Sequence, residues 1–438
     1  MSAIKRVGVL GCGTMGLGIA GACAEAGCDV VLLDLDREIC DQALPRLLMG
    51  TNPAVQGSES LERIRTGTFD DDMAMLVDCD WICEAVVEDL EIKQTILQRV
   101  ENHRRPGTFI STNTSGIPLA DISRGIPESL LPDIAVTHFF NPVHMMKLVE
   151  LVPGESTRKE VISTLADFLG STLGKGVVYA KDTVNFIGNR IGCLWINAGL
   201  AHGVRAVTEE NISIESVDAL LGEPVGLPPT GLFGLVDLVG LDVVVNVNRN
   251  LAINLPRGDR AREFLDLPES IAAMAARGQL GRKSGGGFYR LNRHADGSKS
   301  MEVYDFRSND WRPAVEAPSD IVGLDFKTLF GSDSPEGRVV TGIMAETLAY
   351  AVSCVPEIAD DIVNVDRAMR WGFAWQQGPF ELIDLIGGSK FASVLDAQGI
   401  PRPPLLDTLM SSGHEHFYLD DGNQFLTISG EYSAIPPG

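Results

Sequence analysis

The sequence predicts an α/β plus all-α chain, with a doubly wound parallel sheet first and two related helical domains after it. Three observations carry this. Over roughly the first 180 residues, short apolar runs alternate with helix-length segments, the pattern of a parallel sheet covered on both faces. From about Asp182 onward, helical stretches dominate. Finally, "GLFGLVDLVG" at 231–240 and "GPFELIDLIG" at 378–387 match at Gly, Phe, Leu or Ile, Asp and the closing Gly. Each follows a Val-Asp pair, Val217-Asp218 or Val365-Asp366, at nearly the same distance. Such self-similarity points to one helical design used twice.

In order along the chain, strands are expected at 4–10, 29–34, 81–86, 107–112, 133–139, 147–152 and 176–180, within a sheet domain over 1–182. The first helical domain follows at 183–290. Residues 291–332, with Gly, Ser, Asp and Asn among them, are expected as a linker or surface excursion. The second helical copy, a degenerate repeat, takes 333–438.

At 438 residues, 45% hydrophobic and 22% charged, the chain has the composition of an ordinary globular protein with well-buried cores. No apolar stretch approaches the roughly 20 residues that span a bilayer. The N-terminus lacks a signal-peptide layout. A net charge of −23 argues against nucleic acid and anionic membrane as partners. The eight cysteines are scattered, several within apolar runs, as reduced thiols packed like small hydrophobes would be, so a cytoplasmic location is expected. Cys79 and Cys83 have no second pair nearby, and His414 and His416 lie in a polar stretch, so no metal is expected.

Gly11-x-Gly13-x-x-Gly16 stands between the first strand and a helix. Gly11 permits the tight turn, Gly13 lets backbone approach a pyrophosphate, and Gly16 lets helix and strand pack closely. Thr14 and Met15 open the helix, whose free N–H groups and positive dipole end suit phosphates. The second strand ends at Asp34, placed to accept hydrogen bonds from an adenosine ribose and to repel a 2′-phosphate. The domain is therefore expected to be Rossmann-type, with NAD as its cofactor.

"THFFNPVHMMKLVELV" (137–152) sets Glu150 inside an apolar run. Burying an unpaired carboxylate costs several kcal/mol, so a partner is required. His138, at the end of the preceding strand, is the expected partner. A carboxylate beside an imidazole fixes its tautomer and stabilises the imidazolium formed when the ring takes a proton. Asn113 and Ser115 sit at another strand's carboxyl end, where the structural alternative for Ser115 is a helix N-cap. Asn189 is expected in the interior of the first helix after the sheet, in "KDTVNFIGNRIG", where asparagine has poor propensity and a ligand contact would explain it.

Together these motifs resemble the NAD-dependent L-3-hydroxyacyl-CoA dehydrogenases of fatty-acid β-oxidation, in the long form with a duplicated C-terminal domain. The resemblance rests on the nucleotide motif with "EAVVEDLEIKQ", "STNTSGIPL", "HFFNPVHMMKLVELV", "KDTVNFIGNRIG", "GLFGLVDLVGLD" and "GRKSGGGFY". It implies reversible oxidation of a (3S)-3-hydroxyacyl-CoA, with His138 as base, Glu150 as its partner, and Ser115 and Asn189 bonding the reacting oxygen. It places Glu88 near the nicotinamide and Lys93 on the cofactor side, and implies closure of the helical part over the reaction. Gly116 departs from the Ser or Thr frequent in relatives, and only Arg37, Arg46, Arg63 and Arg65 follow Asp34 as candidates for coenzyme A phosphates. The second copy lacks a counterpart of "NFIGNR" and is expected to serve packing or assembly. Monomer and homodimer both remain open, as does membership of a longer chain with an enoyl-CoA hydratase region. Two other readings are a dehydrogenase of a small non-CoA 3-hydroxy acid and a non-catalytic NAD-binding assembly module.

Overall fold

The computed structural model describes residues 4–49, 53–294, 296–318, 321 and 323–436. The chain falls into two compact units that divide after Asn189, with Glu357–Asp360 belonging to the first.

The first unit is built on eight strands: β1 (Arg6–Leu10), β2 (Asp29–Asp34), β3 (Ile64–Thr68), β4 (Trp81–Glu84), β5 (Phe109–Thr112), β6 (Ile134–Phe139), β7 (Leu148–Pro153) and β8 (Gly176–Tyr179). Their order is β3-β2-β1-β4-β5-β6-β7-β8. All neighbours are parallel except β6 and β7. Successive residues of β1, β4 and β6 are buried whichever face they point to, which is why these strands are mostly apolar and lack a polar-apolar alternation. Helix α1 (Thr14–Glu25) buries Ile19, Ala20 and Cys23 in the core that also holds Val7, Val9 and Trp81. Strand order reverses between β1 and β4, which opens the crevice where such sheets take ligands.

Seven strands lie where the apolar runs predict them. The eighth, β3, was not expected. Its sequence, "IRTGT", has no apolar run because it is an edge strand, and Gly67 makes room for Asp72, whose Cβ would lie 2.6 Å from a side chain at that position.

The second unit holds both copies of the repeat. Asp218 accepts the amides of Phe233 and Gly234 at 2.6 and 3.0 Å and the Tyr289 hydroxyl at 2.8 Å. Asp366 does the same for Phe380 and Glu381, at 2.9 and 3.2 Å, and for Tyr418 at 2.8 Å. Further along, Asp237 accepts the amides of Phe288 and Tyr289, and Asp384 those of Phe417 and Tyr418. Each copy thus uses one buried aspartate to cap a helix and another to fix a Phe-Tyr pair.

That pair opens a three-stranded antiparallel sheet in both copies: Tyr289–Arg293, Lys299–Asp305 and Asp310–Pro313 in the first, and Tyr418–Leu419, Gln424–Leu426 and Tyr432–Ala434 in the second. The stretch expected as a linker from 291 therefore contains two of these strands. Half-exposed, polar strands joined by tight turns leave no apolar run to find. Helix Pro335–Ser353 of the second copy brings Glu346 and Tyr350 against the first. Glu346 pairs with both nitrogen arms of Arg260 at 2.7 Å, and the Tyr350 hydroxyl joins Asp259 and Arg190. Among the described residues, no helix is long and apolar enough to cross a membrane.

Candidate active site

The turn after β1 is shaped by close approach. Gly11 has φ +115°, and a Cβ there would lie 2.5 Å from the Ala85 carbonyl oxygen. A Cβ on Gly16 would lie 1.9 Å from the Gly11 carbonyl, whereas one on Gly13 would meet nothing within 4 Å. Gly11 and Gly16 therefore serve the fold, and Gly13 leaves open space. Helix α1 starts there with no side-chain cap and no acid in its first turn. The amides at Thr14, Met15 and Gly16 form an N-terminus suited to an anion, so the loop fits a dinucleotide pyrophosphate.

At the end of β2, the Asp34 carboxylate accepts the Cys12 amide at 2.5 Å and the Leu35 amide at 2.7 Å. It thereby clamps the glycine turn. Arg37, the nearest base in sequence, is held by Asp72 at 2.9 Å. Arg46 donates to the Cys12 carbonyl at 3.0 Å, and Arg63 faces Asp29 at 3.8 Å. Of the four arginines considered for coenzyme A phosphates, Arg65 is exposed, with no hydrogen bond or ion pair to its guanidinium among the described residues.

His138 and Glu150 are directly opposite in the antiparallel β6–β7 pair, so their side chains leave the same face of the sheet. His138 Nδ1 lies 2.6 Å from Glu150 Oε2, with the side chains 4% and 0% exposed. The second oxygen of Glu150 receives the amides of Ile187 and Gly188 at 2.9 and 2.8 Å. These two donors were not foreseen from the sequence. They are presented because Asn185 and Phe186 adopt φ +62° and +49°, turning the chain just before helix Gly188–Glu209. The Phe140 and Phe186 rings pack beside the imidazole, at 4.6 and 5.7 Å between centroids. With Nδ1–H donated to a carboxylate, Nε2 carries the lone pair, as a proton acceptor requires.

A second buried acid lies at the end of β4. Glu84, fully buried, accepts Lys93 Nζ at 2.9 and 3.2 Å, the Thr112 hydroxyl at 2.5 Å and the Val86 amide at 2.8 Å. Lys93 also reaches Glu88 Oε2 at 3.2 Å. Glu88 in turn accepts the Thr114 hydroxyl and the amides of Ser115 and Gly116, at 2.7, 2.8 and 3.0 Å. Burial would raise the Glu88 carboxyl, but Lys93 and these donors outweigh it and hold it below the ordinary range. For Lys93, burial would lower the ammonium, but the charges of Glu84 and Glu88 win and raise it. Lys93 is thus turned into the protein between two carboxylates. Glu84 was missed, although "WICEAV" carries the signal that singled out Glu150, an acid in an apolar run.

Asn113 uses Oδ1 to accept the Phe139 amide at 2.9 Å, tying the ends of β5 and β6 together beside His138. Ser115 is exposed and does not cap a helix. The helix Leu119–Ser123 is instead served by Asp182, which accepts the Leu119 and Ala120 amides at 2.6 and 2.7 Å. Asn189 is half-buried in the first turn of its helix, not its interior. At Gly116 a Cβ would stand 2.6 Å from Asn185 Oδ1, so the space a Ser or Thr would need is taken.

Residues 6–183 match the model for the NAD binding domain of 3-hydroxyacyl-CoA dehydrogenase, and 186–291 match that for its C-terminal domain. A probable 3-hydroxyacyl-CoA dehydrogenase of Bacillus subtilis is 35% identical over 99% of this chain and 57% of its own length. The chain thus spans little more than half of that relative. A probable 3-hydroxyacyl-CoA dehydrogenase of Deinococcus radiodurans is 34% identical over 66% of this chain and 83% of its own. The crystal structure of an Escherichia coli 3-hydroxybutyryl-CoA dehydrogenase shares the fold, with a TM-score of 0.72 at 24% identity over 94% of this chain and 99% of that one.

Proposed function

The chain belongs to the 3-hydroxyacyl-CoA dehydrogenase family, and on that premise we propose that it interconverts (3S)-3-hydroxyacyl-CoA and 3-oxoacyl-CoA in fatty-acid β-oxidation, with NAD as cofactor. The observation that carries this reading is the His138–Glu150 pair at the carboxyl end of β6, in the same sheet and at the same strand ends as the Gly11–Gly16 loop.

Bound NAD+ supplies the acceptor for the C3 hydride. His138 Nε2 takes the hydroxyl proton, so the products are the ketone, NADH and one proton passed on to solvent. Glu150 keeps the acceptor nitrogen free in the neutral ring and stabilises the imidazolium once the proton has moved. The amides of Ile187 and Gly188 hold the Glu150 carboxylate oriented for that task. Ser115 and Asn189 bond the reacting oxygen as it changes from hydroxyl to carbonyl. Glu88 holds the Ser115 loop by its backbone, and Asn113 fixes the strand end that carries His138. We place the protein in the cytoplasm, a reading supported by its eight scattered cysteines, seven of them buried.

The test is NADH consumption with acetoacetyl-CoA by the wild-type protein and His138→Ala, repeated with NADPH and with a long-chain 3-oxoacyl-CoA. Turnover with NADH that collapses in the variant is expected. A folded protein that binds NADH but turns over free 3-oxo acids, and no CoA thioester, would overturn the substrate class.

A further inference from the structure

The Glu84–Lys93–Glu88 cluster is not charge-balanced. Two carboxylates share one ammonium, leaving a surplus negative charge at the end of β4. Its inner part is sealed, with Glu84 and Lys93 side chains 0% and 1% exposed, while Glu88 is 38% exposed and forms the outer end. The neighbouring Asp89 does not add to it in the same way. It caps helix Leu90–Glu101, accepting the Ile92 amide at 3.0 Å, where the helix's partial positive end offsets it. Glu91 is exposed to solvent.

Position gives this surplus a target. In the sheet register, Glu84 stands beside Leu10, the last residue before the glycine turn. Asp34 on β2 marks the ribose side and the turn after β1 marks the pyrophosphate, so the other half of the dinucleotide crosses the switch point toward the ends of β4 and β5. There it meets the Glu88 end of the cluster. The oxidised nicotinamide ring is a cation and the reduced ring is neutral. A fixed negative charge in a partly desolvated crevice distinguishes them.

We propose that the Glu84–Lys93–Glu88 cluster selects the oxidised cofactor, its unbalanced charge favouring NAD+ over NADH. Glu84 is a positioning residue in this scheme: it pins Lys93 and, through Lys93, sets how much of the Glu88 charge is felt. The inference rests on the cofactor seat proposed above and goes beyond it.

Calorimetric titrations of the intact protein with NAD+ and with NADH, all at one fixed pH, test it. Glu84→Gln makes the cluster neutral, and the ratio Kd(NADH)/Kd(NAD+) is expected to fall about tenfold. Glu84→Gln combined with Lys93→Met restores one negative charge, on Glu88, and the ratio should return close to the wild-type value. Glu88→Gln makes the same neutralisation from the outer end, and carries the test if Glu84→Gln does not fold. An unchanged ratio in a folded neutralised variant overturns the proposal. So does a double variant that departs further than the single one, because then geometry and not charge sets the ratio. Wild-type protein that binds neither form would instead overturn the cofactor seat itself, and this inference with it.

Discussion

Glu150 holds His138 Nδ1 at 2.6 Å with one carboxylate oxygen while the other receives the amides of Ile187 and Gly188. Both oxygens are committed, so the acid neither swings nor tolerates an amide in its place. A glutamine would turn an NH2 group toward one of these donors. In Glu150→Gln we expect kcat for acetoacetyl-CoA reduction to fall roughly 10²- to 10³-fold, and in His138→Gln by about 10³ to 10⁴. NADH affinity should change only a few-fold in His138→Gln. A large loss of NADH binding there would mean that the imidazole belongs to the cofactor seat.

The glycines of the turn separate folding from binding. Gly13 faces open space, whereas Gly16 has the Gly11 carbonyl 1.9 Å from where its Cβ would be. Gly13→Val is therefore expected to keep its melting temperature and weaken NADH binding at least tenfold (roughly 1.4 kcal/mol). Gly16→Val should lower the melting temperature before any binding is measured. Thermal melts and NADH titrations on the two variants decide this, and equal loss of stability in both would refute the division of labour.

His202 gives the second unit an acid sensitivity. Burial pushes its imidazole down to about 4, with Arg205 adding to the effect, and Arg205 donates to Nδ1 at 3.2 Å, a bond only the neutral ring accepts. Below the ordinary histidine value near 6.5, the unfolded chain takes up a proton that the folded one refuses. Stability from this group is complete above that value and is lost as pH falls from there toward 4, by at most about 3 kcal/mol. Urea midpoints at pH 7.5 and pH 5 should differ less in His202→Gln than in the wild type. An identical difference in both would assign the acid sensitivity to other groups.

Asp218 and Asp366 carry equivalent bonds in the two copies, two amides and a tyrosine hydroxyl each. Alanine at either position leaves those buried donors without an acceptor, a cost of roughly 3–5 kcal/mol. Chemical denaturation should show similar losses for the two variants. A negligible effect at Asp366 would mean that the second copy does not depend on this acceptor for its stability.

Much of this was legible in the chain. The strand runs, the glycine turn with Asp34 and the pairing of Glu150 with His138 follow from local rules: side-chain period, backbone clearance, and the cost of burying a lone charge. The repeat was visible at its helices because the Gly-x-Phe and Asp-x-x-Gly spacings are strict. Its sheets were not, since strands such as Tyr418–Leu419 are held by Asp384 and not by any apolar run of their own.

By itself, the sequence determined which residues must be buried and which backbone positions need glycine, because those demands are local and independent of the neighbours. Only the tertiary structure decided the remaining partners. Glu150 is satisfied by amides nearly 40 residues away, Glu84 by Lys93 across a helix turn and Thr112 on the next strand, and Asp34 by the glycine loop it also faces. A carboxylate's need for donors is written in its own solvation energy, but which donors meet that need depends on strand order and register, and these are set by the whole fold at once.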